Sequence, residues 1–284
     1  MVYQMNLRTF VVLSIGFALC QFASGQDIDG VGQDNVKSVK VGITPWTAKS
    51  QMLEWSKPAI EFVESKSNVK IKPASANDLF DYFNRAKHKH FDVMVAPLHL
   101  ALYLIKHHEY QPILIIENDA RQLVVTLKAN DITSLDEFKF GVIWLPHPLT
   151  GGALFAKREL SKRSIRANIY HANDHWEVIN ALKSGKAKLG AVLDTVLAKL
   201  DEKSREQFRV IHRHPVSWEA LVIAPVSKHK EMSAIFEPLI GKSPALNRKV
   251  VRSFDPVTEK RLQELFAKMA PYLDDMKAML AKYE

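Results

Sequence analysis

The stretch Val39-Lys40-Val41-Gly42-Ile43, followed by Thr44-Pro45-Trp46, opens the part of the chain that decides the fold. It is short, apolar and rich in β-branched residues, which predicts a β-strand. Pro45 has no amide hydrogen to donate to a sheet, so we expect the strand to end at the Thr-Pro-Trp turn. The apolar residues that follow have helical spacing and predict a helix over residues 52–63, although Pro58 disturbs the helical pattern.

Strands and helices then alternate along the chain. Further strands are predicted at residues 69–71, 91–96, 122–127, 140–144, 189–193, 210–212 and 221–224, and around Ile169. Helices are predicted from Leu79 behind the Asn77-Asp78 cap, at residues 99–108, from Ser134, from Gly151-Gly152 and at residues 177–183. This rhythm predicts an α/β fold in which helices connect the parallel strands of a sheet.

A last helix is predicted near the C-terminus. Leu262, Leu265, Phe266 and Met269 have the spacing of one helical face. We expect this helix to begin at Asp255, with Pro256 directly behind it, because proline is favoured at the first helical position.

The N-terminus has the pattern of a secretory signal peptide. Arg8 precedes a short apolar run over residues 10–18, and Ala23-Ser24-Gly25 gives a small-residue exit before Gln26. We therefore predict a signal peptide at residues 1–25, a flexible segment at residues 26–38 and a periplasmic mature protein. The alternative is a buried N-terminal helix. The only cysteine, Cys20, lies in the predicted leader, so the mature chain would have no disulfide.

Composition is that of an ordinary globular protein. The chain has 47% hydrophobic and 25% charged residues and a formal net charge of +8. Lysine and arginine are spread evenly, without a run of five or six, which indicates a solvated surface and no nucleic-acid partner. The length suits two lobes, and we expect a monomer.

The carboxyl ends of the predicted strands indicate where a ligand binds. In open α/β sheets, ligands bind beyond these ends. They fall at residues 44–46, 97–99, 145–152, 171–175 and 194. Two α/β units therefore predict a ligand cleft between two lobes.

Five short motifs carry a resemblance to a known family. They are Val41-Gly42-Ile43-Thr44-Pro45-Trp46, Phe91-Asp92-Val93-Met94-Val95-Ala96-Pro97-Leu98, Ser134-Leu135-Asp136-Glu137-Phe138-Lys139, His175, and the block at residues 181–192. In this order they resemble the phosphonate-type periplasmic solute-binding proteins of ABC transporters.

The resemblance implies a type 2 periplasmic-binding-protein fold, with a hinge and a ligand cleft between the lobes. Lobe 1 would comprise residues 39–121 and 215–284, and lobe 2 residues 122–214. The segments that cross between the lobes would lie near residues 122–127 and 210–224. A membrane permease would be the transport partner, and no cofactor is implied.

The sequence departs from this family at the predicted anion site. The family has hydroxyl residues before a glycine at a helix start, where backbone amides hold a phosphonate. Here the segment reads Pro148-Leu149-Thr150-Gly151, and His99-Leu100 replaces the family's usual tyrosine. We therefore predict a less polar pocket. An apolar or amphipathic ligand, such as a sterol or other lipid, becomes a candidate beside phosphonate- or phosphate-like oxyanions.

The ligand-contacting residues predicted from the sequence are Trp46, His99, Leu100, Leu149, Thr150, Gly151, His175, Asp194 and Trp218. Trp176 is a further candidate wall of the pocket.

Two other functions stay open from sequence alone. The chain has eleven histidines, and pairs such as His171 with His175 could hold zinc or copper in a metal-binding periplasmic protein. Some proteins of this fold act in cofactor biosynthesis, although no phosphate loop, Gly-x-Ser-x-Gly elbow or His-Glu-x-x-His motif is present. We expect no enzyme activity and no bound metal.

Overall fold

The computed structural model describes residues 36–45, 49–215, 217–242 and 251–281, without the side chains of residues 49–51 and 55. The predicted leader at residues 1–25 and Trp46 lie outside the described residues. The first strand begins at Lys37, inside the segment predicted to be flexible, because Lys37 and Ser38 pair with Val69 and Lys70 of the next strand.

The described strands are β1 Lys37–Ile43, β2 Val69–Ala74, β3 Val93–Pro97, β4 Tyr110–Glu117, β5 Gln122–Leu127, β6 Val142–Leu145, β7 Asn168–His171, β8 Leu189–Leu193, β9 Phe208–Arg213, β10 Ala220–Pro225 and β11 Ser253–Pro256. The described α-helices are α1 Lys49–Lys66, α2 Leu79–Lys87, α3 Leu98–His107, α4 Gly151–Lys162, α5 His175–Lys183, α6 Asp194–Leu197, α7 Glu202–Arg205, α8 Val226–Phe236 and α9 Glu259–Leu280. Short 3-10 turns cover Lys128–Asn130, Leu135–Glu137 and Glu237–Leu239.

Within the described residues, the strands form two mixed sheets. The first has the order β11-β4-β10-β3-β1-β2, and the second has the order β7-β6-β8-β5-β9. In the first sheet β1 is parallel to β2 and β3, whereas β10 runs antiparallel between β3 and β4. In the second, β6 is parallel to β7 and β8, and β5 is antiparallel to β8 and β9. The predicted parallel α/β units are present, each completed by antiparallel strands.

The chain crosses between the two sheets twice. It leaves the first sheet after Glu117 and enters the second at Gln122, then returns between Arg213 and Ala220. The crossing segments are therefore residues 118–121 and 214–219. The predicted segments at residues 122–127 and 210–224 included strand residues on either side of these shorter connections.

The two crossing segments are hydrogen-bonded to each other. Asn118 Nδ2 donates to the Trp218 carbonyl at 2.9 Å, and the Trp218 amide donates to the Ala120 carbonyl at 3.3 Å. Two short connections joined in this way are where a hinge between lobes would bend. The lobe boundaries at residues 121 and 215 stay a prediction.

The C-terminal helix begins later than predicted. Thr258 caps α9 by accepting from the Arg261 amide, whereas Asp255 and Pro256 belong to β11, which pairs with β4 at the edge of the first sheet. An edge strand tolerates the missing amide hydrogen of proline. Leu265 and Met269 are fully buried, as the helical spacing predicts. In the described part of the chain, no helix is both long and apolar enough to cross a membrane.

Candidate functional site

A cavity of about 140 Å³ lies where the crossing segments meet the starts of several elements. Its lining comes from the ends of β1, β3 and β8, from the starts of α2, α3, α4, α5, β5 and β10, from α6 and from the crossing segments. The lining residues are Thr44, Leu79, Pro97, His99, Asn118, Ala120, Gln122, Thr150, Gly151, His175, Trp176, Leu193, Thr195, Val196, Lys199, Trp218, Glu219 and Ala220. We call this space the cleft cavity.

His99 lines this cavity and has a buried ring nitrogen without a hydrogen-bond partner. Its Nε2 lies 2.8 Å from the Leu149 carbonyl oxygen, and a carbonyl can only accept, so Nε2 carries the proton. Burial lowers the pKa of His99 to about 4, against the opposing effect of that hydrogen bond, so the ring is neutral at pH 7. Nδ1 therefore presents a lone pair.

His175, at the start of α5, also has one ring nitrogen bonded to a backbone carbonyl and the other without a partner. It is the first residue of α5, which Asp174 caps, and its imidazole bonds to the Ala191 carbonyl. Burial lowers the pKa of His175 to about 4, although the bond to Ala191 and the charge of Asp174 oppose this. Its Nδ1 is likewise an unprotonated acceptor.

Gln122 supplies a third acceptor. In the described residues, the buried side-chain atoms without a hydrogen-bond partner are His99 Nδ1, His175 Nδ1 and Gln122 Oε1, and all three residues line the cleft cavity. Leaving a buried polar group unpaired costs about 1–3 kcal/mol, so such groups usually have a partner. Three residues that each have such an atom therefore line one cavity.

The side-chain donors around the cavity are mostly used inside the protein. Thr44 Oγ1 donates to the Val95 carbonyl at 2.7 Å, and Thr150 Oγ1 donates to the His147 carbonyl at 2.8 Å. Trp218 Nε1 donates to His214 Nδ1 at 3.2 Å. A hydroxyl has one proton, so neither threonine can also donate to a bound anion in this arrangement.

The start of α4 is the feature that the sequence analysis linked to anion binding. Thr150 accepts from the Ala153 amide at 3.2 Å and so caps the helix. The amides of Gly151 and Gly152 come before the first intrahelical hydrogen bond and are the donors left at this helix start. The indole ring of Trp218 lies against Gly151, where a Cβ atom would meet Cζ3 at 2.2 Å.

Two charged residues also line the cavity. Glu219 is buried, and its carboxylate is paired with Lys268 at 2.7 Å and Arg261 at 3.1 Å on α9. This pairing offsets the negative charge within the protein. Lys199, which follows α6, is exposed. The lining therefore combines buried neutral side chains and aromatic and aliphatic walls with a paired carboxylate and an exposed lysine.

The structure brings five of the predicted ligand-contacting residues to one cavity: His99, Thr150, Gly151, His175 and Trp218. The candidate wall Trp176 also lines it and is 37% exposed. Three further lining residues were not predicted from the sequence: Gln122 at a strand start, and Asn118 and Glu219 in the crossing segments. Their positions in the sequence do not predict a shared site, because Glu219 is distant from Asn118 and Gln122 along the chain and reaches them only through the fold.

The other predicted residues lie elsewhere. Leu100 and Leu149 are fully buried in the hydrophobic core, so their side chains serve packing in this arrangement. Asp194 accepts from the Arg121 amide at 3.1 Å and faces Arg213 at 3.6 Å. It thus holds a crossing segment against the second sheet. Trp46 is outside the described residues.

Metal ligation has no support in the described residues, where no group of three histidine, cysteine, aspartate or glutamate side chains is placed to hold an ion. His171 Nδ1 bonds to the Pro146 carbonyl at 2.8 Å, which orients its ring.

The fold and the cavity define a two-lobed α/β ligand-binding protein. Residues 41–284 match the protein family described as "ABC transporter, phosphonate, periplasmic substrate-binding protein". The chain belongs to this family. The predicted family and the predicted type 2 periplasmic-binding fold are therefore confirmed. The family consists of periplasmic proteins that deliver ligand to membrane permease components and are not enzymes, and this chain is not an enzyme.

Solved structures share this fold at low sequence identity. A Xanthomonas citri protein bound to chloride has a TM-score of 0.67 and 16% identity, over 84% of this chain and 99% of that one. A phosphonate-transporter binding protein from Pseudomonas aeruginosa has a TM-score of 0.66 and 12% identity, over 88% and 99%. A Prochlorococcus marinus protein in complex with methylphosphonate has a TM-score of 0.66 and 14% identity, over 84% and 100%. A comparison with curated protein sequences found no match.

Proposed function

We propose that this protein is exported through a cleaved signal peptide and works as a periplasmic monomer that delivers a small ligand to a permease. The ligand is a neutral, amphipathic molecule that donates hydrogen bonds, such as a hydroxylated lipid. It binds in the cleft cavity. The family membership supports the transport role, and the chemistry of the cavity supports the ligand class.

The single observation that carries the ligand class is the set of three unpartnered acceptors. His99 Nδ1, His175 Nδ1 and Gln122 Oε1 each need a donor, and hydroxyl groups of a ligand supply one. A phosphonate dianion offers only acceptors and its monoanion donates one hydrogen bond, so a phosphonate would leave at least two of these atoms unpaired. Each well-formed bond to a hydroxyl contributes about 0.5–1.5 kcal/mol to binding.

A phosphonate-like oxyanion is the second candidate. It is favoured by one specific observation: Gly151 at the start of α4 and the cationic Lys199 both line the cavity. Against it, the Thr150 proton is used by the His147 carbonyl and the Trp218 ring lies on Gly151. We therefore place the oxyanion second.

Isothermal titration calorimetry on the full mature chain distinguishes the two. The probes are 1,2-hexanediol, which is neutral and donates two hydrogen bonds, and methylphosphonate. We expect the diol to bind in preference to methylphosphonate. Tight binding of methylphosphonate with no detectable binding of the diol would overturn the proposed ligand class.

A variant links binding to one acceptor. Gln122→Met keeps a similar side-chain volume and removes the unpartnered Oε1, so diol affinity should fall about threefold to tenfold. The unliganded protein should be at least as stable as the wild type in urea, because a buried unpaired group is lost. Gln111→Met is the matched control, since Gln111 is also in a strand but exposed. Equal diol affinity in all three proteins would contradict this role of Gln122.

A further inference from the structure

A second cavity lies inside the first lobe, between α1 and the first sheet. Its volume is about 170 Å³. Its lining includes Met52, Ala59 and Val63 from α1 and Val41, Val222 and other aliphatic residues from the strands. We call it the α1 cavity.

The α1 cavity is almost entirely apolar. Ser56 and Asn118 are the polar residues among those that line it in the described part of the chain. Ser56 Oγ donates to the Leu53 carbonyl at 3.1 Å. Asn118 donates to the Trp218 carbonyl and accepts from the Ala120 amide at 3.0 Å. A water molecule needs two to four polar partners, so this space suits hydrocarbon better than water.

The two cavities adjoin each other. Asn118 and Ala220 line both of them, one at the start of the first crossing segment and the other at the start of β10. The residues with unpartnered acceptors thus line the cleft cavity, and the neighbouring α1 cavity is apolar.

We propose that the α1 cavity is a second compartment of the ligand site and takes the hydrocarbon part of the ligand. The cleft cavity takes the donor-bearing head, at His99, Gln122 and His175. This inference rests on the proposed function and extends it to one ligand class: an elongated amphiphile with a hydroxylated head and an apolar body. Apolar cavities of about 150 Å³ in other proteins hold a molecule such as benzene, so this volume takes a substantial hydrocarbon group.

The test is a series of diols that differ only in chain length: 1,2-butanediol, 1,2-hexanediol, 1,2-octanediol and 1,2-decanediol. Calorimetry on the full mature chain should show affinity rising with each methylene, by up to about fourfold, until the α1 cavity is full. Chain-length independence beyond 1,2-butanediol would overturn the inference.

Variants that fill the α1 cavity test whether the dependence of diol affinity on chain length arises there. Ala59→Leu should flatten the dependence on chain length while 1,2-butanediol binds as it does to the wild type. Glu61→Leu is the matched control, because Glu61 is exposed on the same helix and should leave the whole series unchanged. Ser56→Leu fills the same space from another position and serves if Ala59→Leu does not fold, which urea unfolding reveals.

The outcomes separate this inference from the proposed function. If Ala59→Leu and Ser56→Leu fold and keep the full dependence on chain length, the α1 cavity is not the compartment and the inference fails, although the cleft still binds diols. If Gln122→Met lowers the affinity of all four diols by one common factor, the head is in the cleft cavity as proposed. If no diol binds the wild type, the proposed ligand class and the inference fail together.

Discussion

The indole of Trp218 lies in contact with Gly151 at the start of α4, so that a Cβ atom on Gly151 would come within 2.2 Å of Cζ3. One residue belongs to the return crossing between the sheets, and the other belongs to the second sheet's ligand-facing helix. Trp218 is held by its bond to His214 Nδ1, which fixes the His214 proton on Nε2, 3.0 Å from the Tyr272 hydroxyl oxygen. The helix start is therefore positioned by a connected set of rings.

This contact predicts that Gly151 tolerates no side chain. Gly151→Ala should lower the free energy of unfolding by about 1–3 kcal/mol, because the methyl group must displace a fixed ring. Gly152→Ala is the matched control: its Cβ would meet Gln122 Oε1 at 2.8 Å, the end of a side chain that can move. It also gains helix propensity. Urea unfolding compares the two, and an equal loss would show that Trp218 does not hold this position.

Much of the fold could be predicted from the sequence because strand and helix periods are local. The strands near Val41, Val95 and Val192 and the capped start of α2 at Asp78 all follow from residues within a few positions. No element was predicted at β4 or α8, and the last two residues of β11 were predicted as the start of α9. Asp255-Pro256 fits either a helix start or an edge strand, and pairing with β4 decides between them.

The site was less predictable, for a physical reason. The residue types at positions 99 and 175 were visible as candidates, but which ring nitrogen is free depends on the distant carbonyls of Leu149 and Ala191. Leu149 is a second example of a role that the residue type does not reveal. It stands where the family has a hydroxyl, yet its side chain is in the core and its carbonyl is what engages His99.

Phosphonate should bind weakly to the wild-type protein. Methylphosphonate affinity is expected in the high micromolar range or worse, because the helix start offers few donors. Pro148→Ser restores an amide and a hydroxyl there and should raise that affinity. Pro148→Ala restores the amide alone and separates the two contributions. Leu149→Thr, which family comparison also suggests, would bury a hydroxyl in the core and should mainly cost stability. Calorimetry measures each protein, and sub-micromolar binding by the wild type would refute this prediction.

Stability should fall as the solution is acidified from neutral pH. Burial lowers the pKa of His99, His147 and His175 to about 4, against about 6.5 for an unfolded histidine. The unfolded chain therefore binds more protons between these values, so the stabilising contribution is complete above about pH 6.5 and is lost as the pH falls toward 4. Each histidine contributes up to about 1.4 kcal/mol per pH unit in this window.

Urea unfolding between pH 7 and pH 5 measures that slope. A His99→Phe variant should show a shallower slope than the wild type, since one of the shifted groups is gone. His90→Phe is the control, because His90 is exposed. Parallel slopes for all three proteins would mean that His99 does not titrate as its burial requires. Diol binding to the folded protein should weaken only as the pH approaches about 4, where Nδ1 of His99 and His175 becomes protonated and can no longer accept.

Closure of the lobes is the last property that the structure lets us predict. His147 precedes α4, and its ring lies 4.7 Å from the ring of Phe80 on α2, in an edge arrangement. His147 Nε2 is also 3.9 Å from Asp78 Oδ1, but the ring is neutral at pH 7, so this is a packing contact more than an ion pair. Such a contact between elements of the two sheets favours the closed arrangement over an open one.

His147→Ala should therefore shift the protein toward the open arrangement. Small-angle X-ray scattering is expected to show a larger radius of gyration for the unliganded variant than for the unliganded wild type. Saturating 1,2-decanediol should reduce the radius in both. Diol affinity should fall in proportion to the fraction of closed protein, because only the closed arrangement is competent to bind the diol. His90→Ala changes an exposed histidine and should match the wild type in both measurements. A variant with unchanged scattering and lowered affinity would place His147 in ligand contact instead of closure, and unchanged scattering of the wild type at saturation would remove the hinge itself.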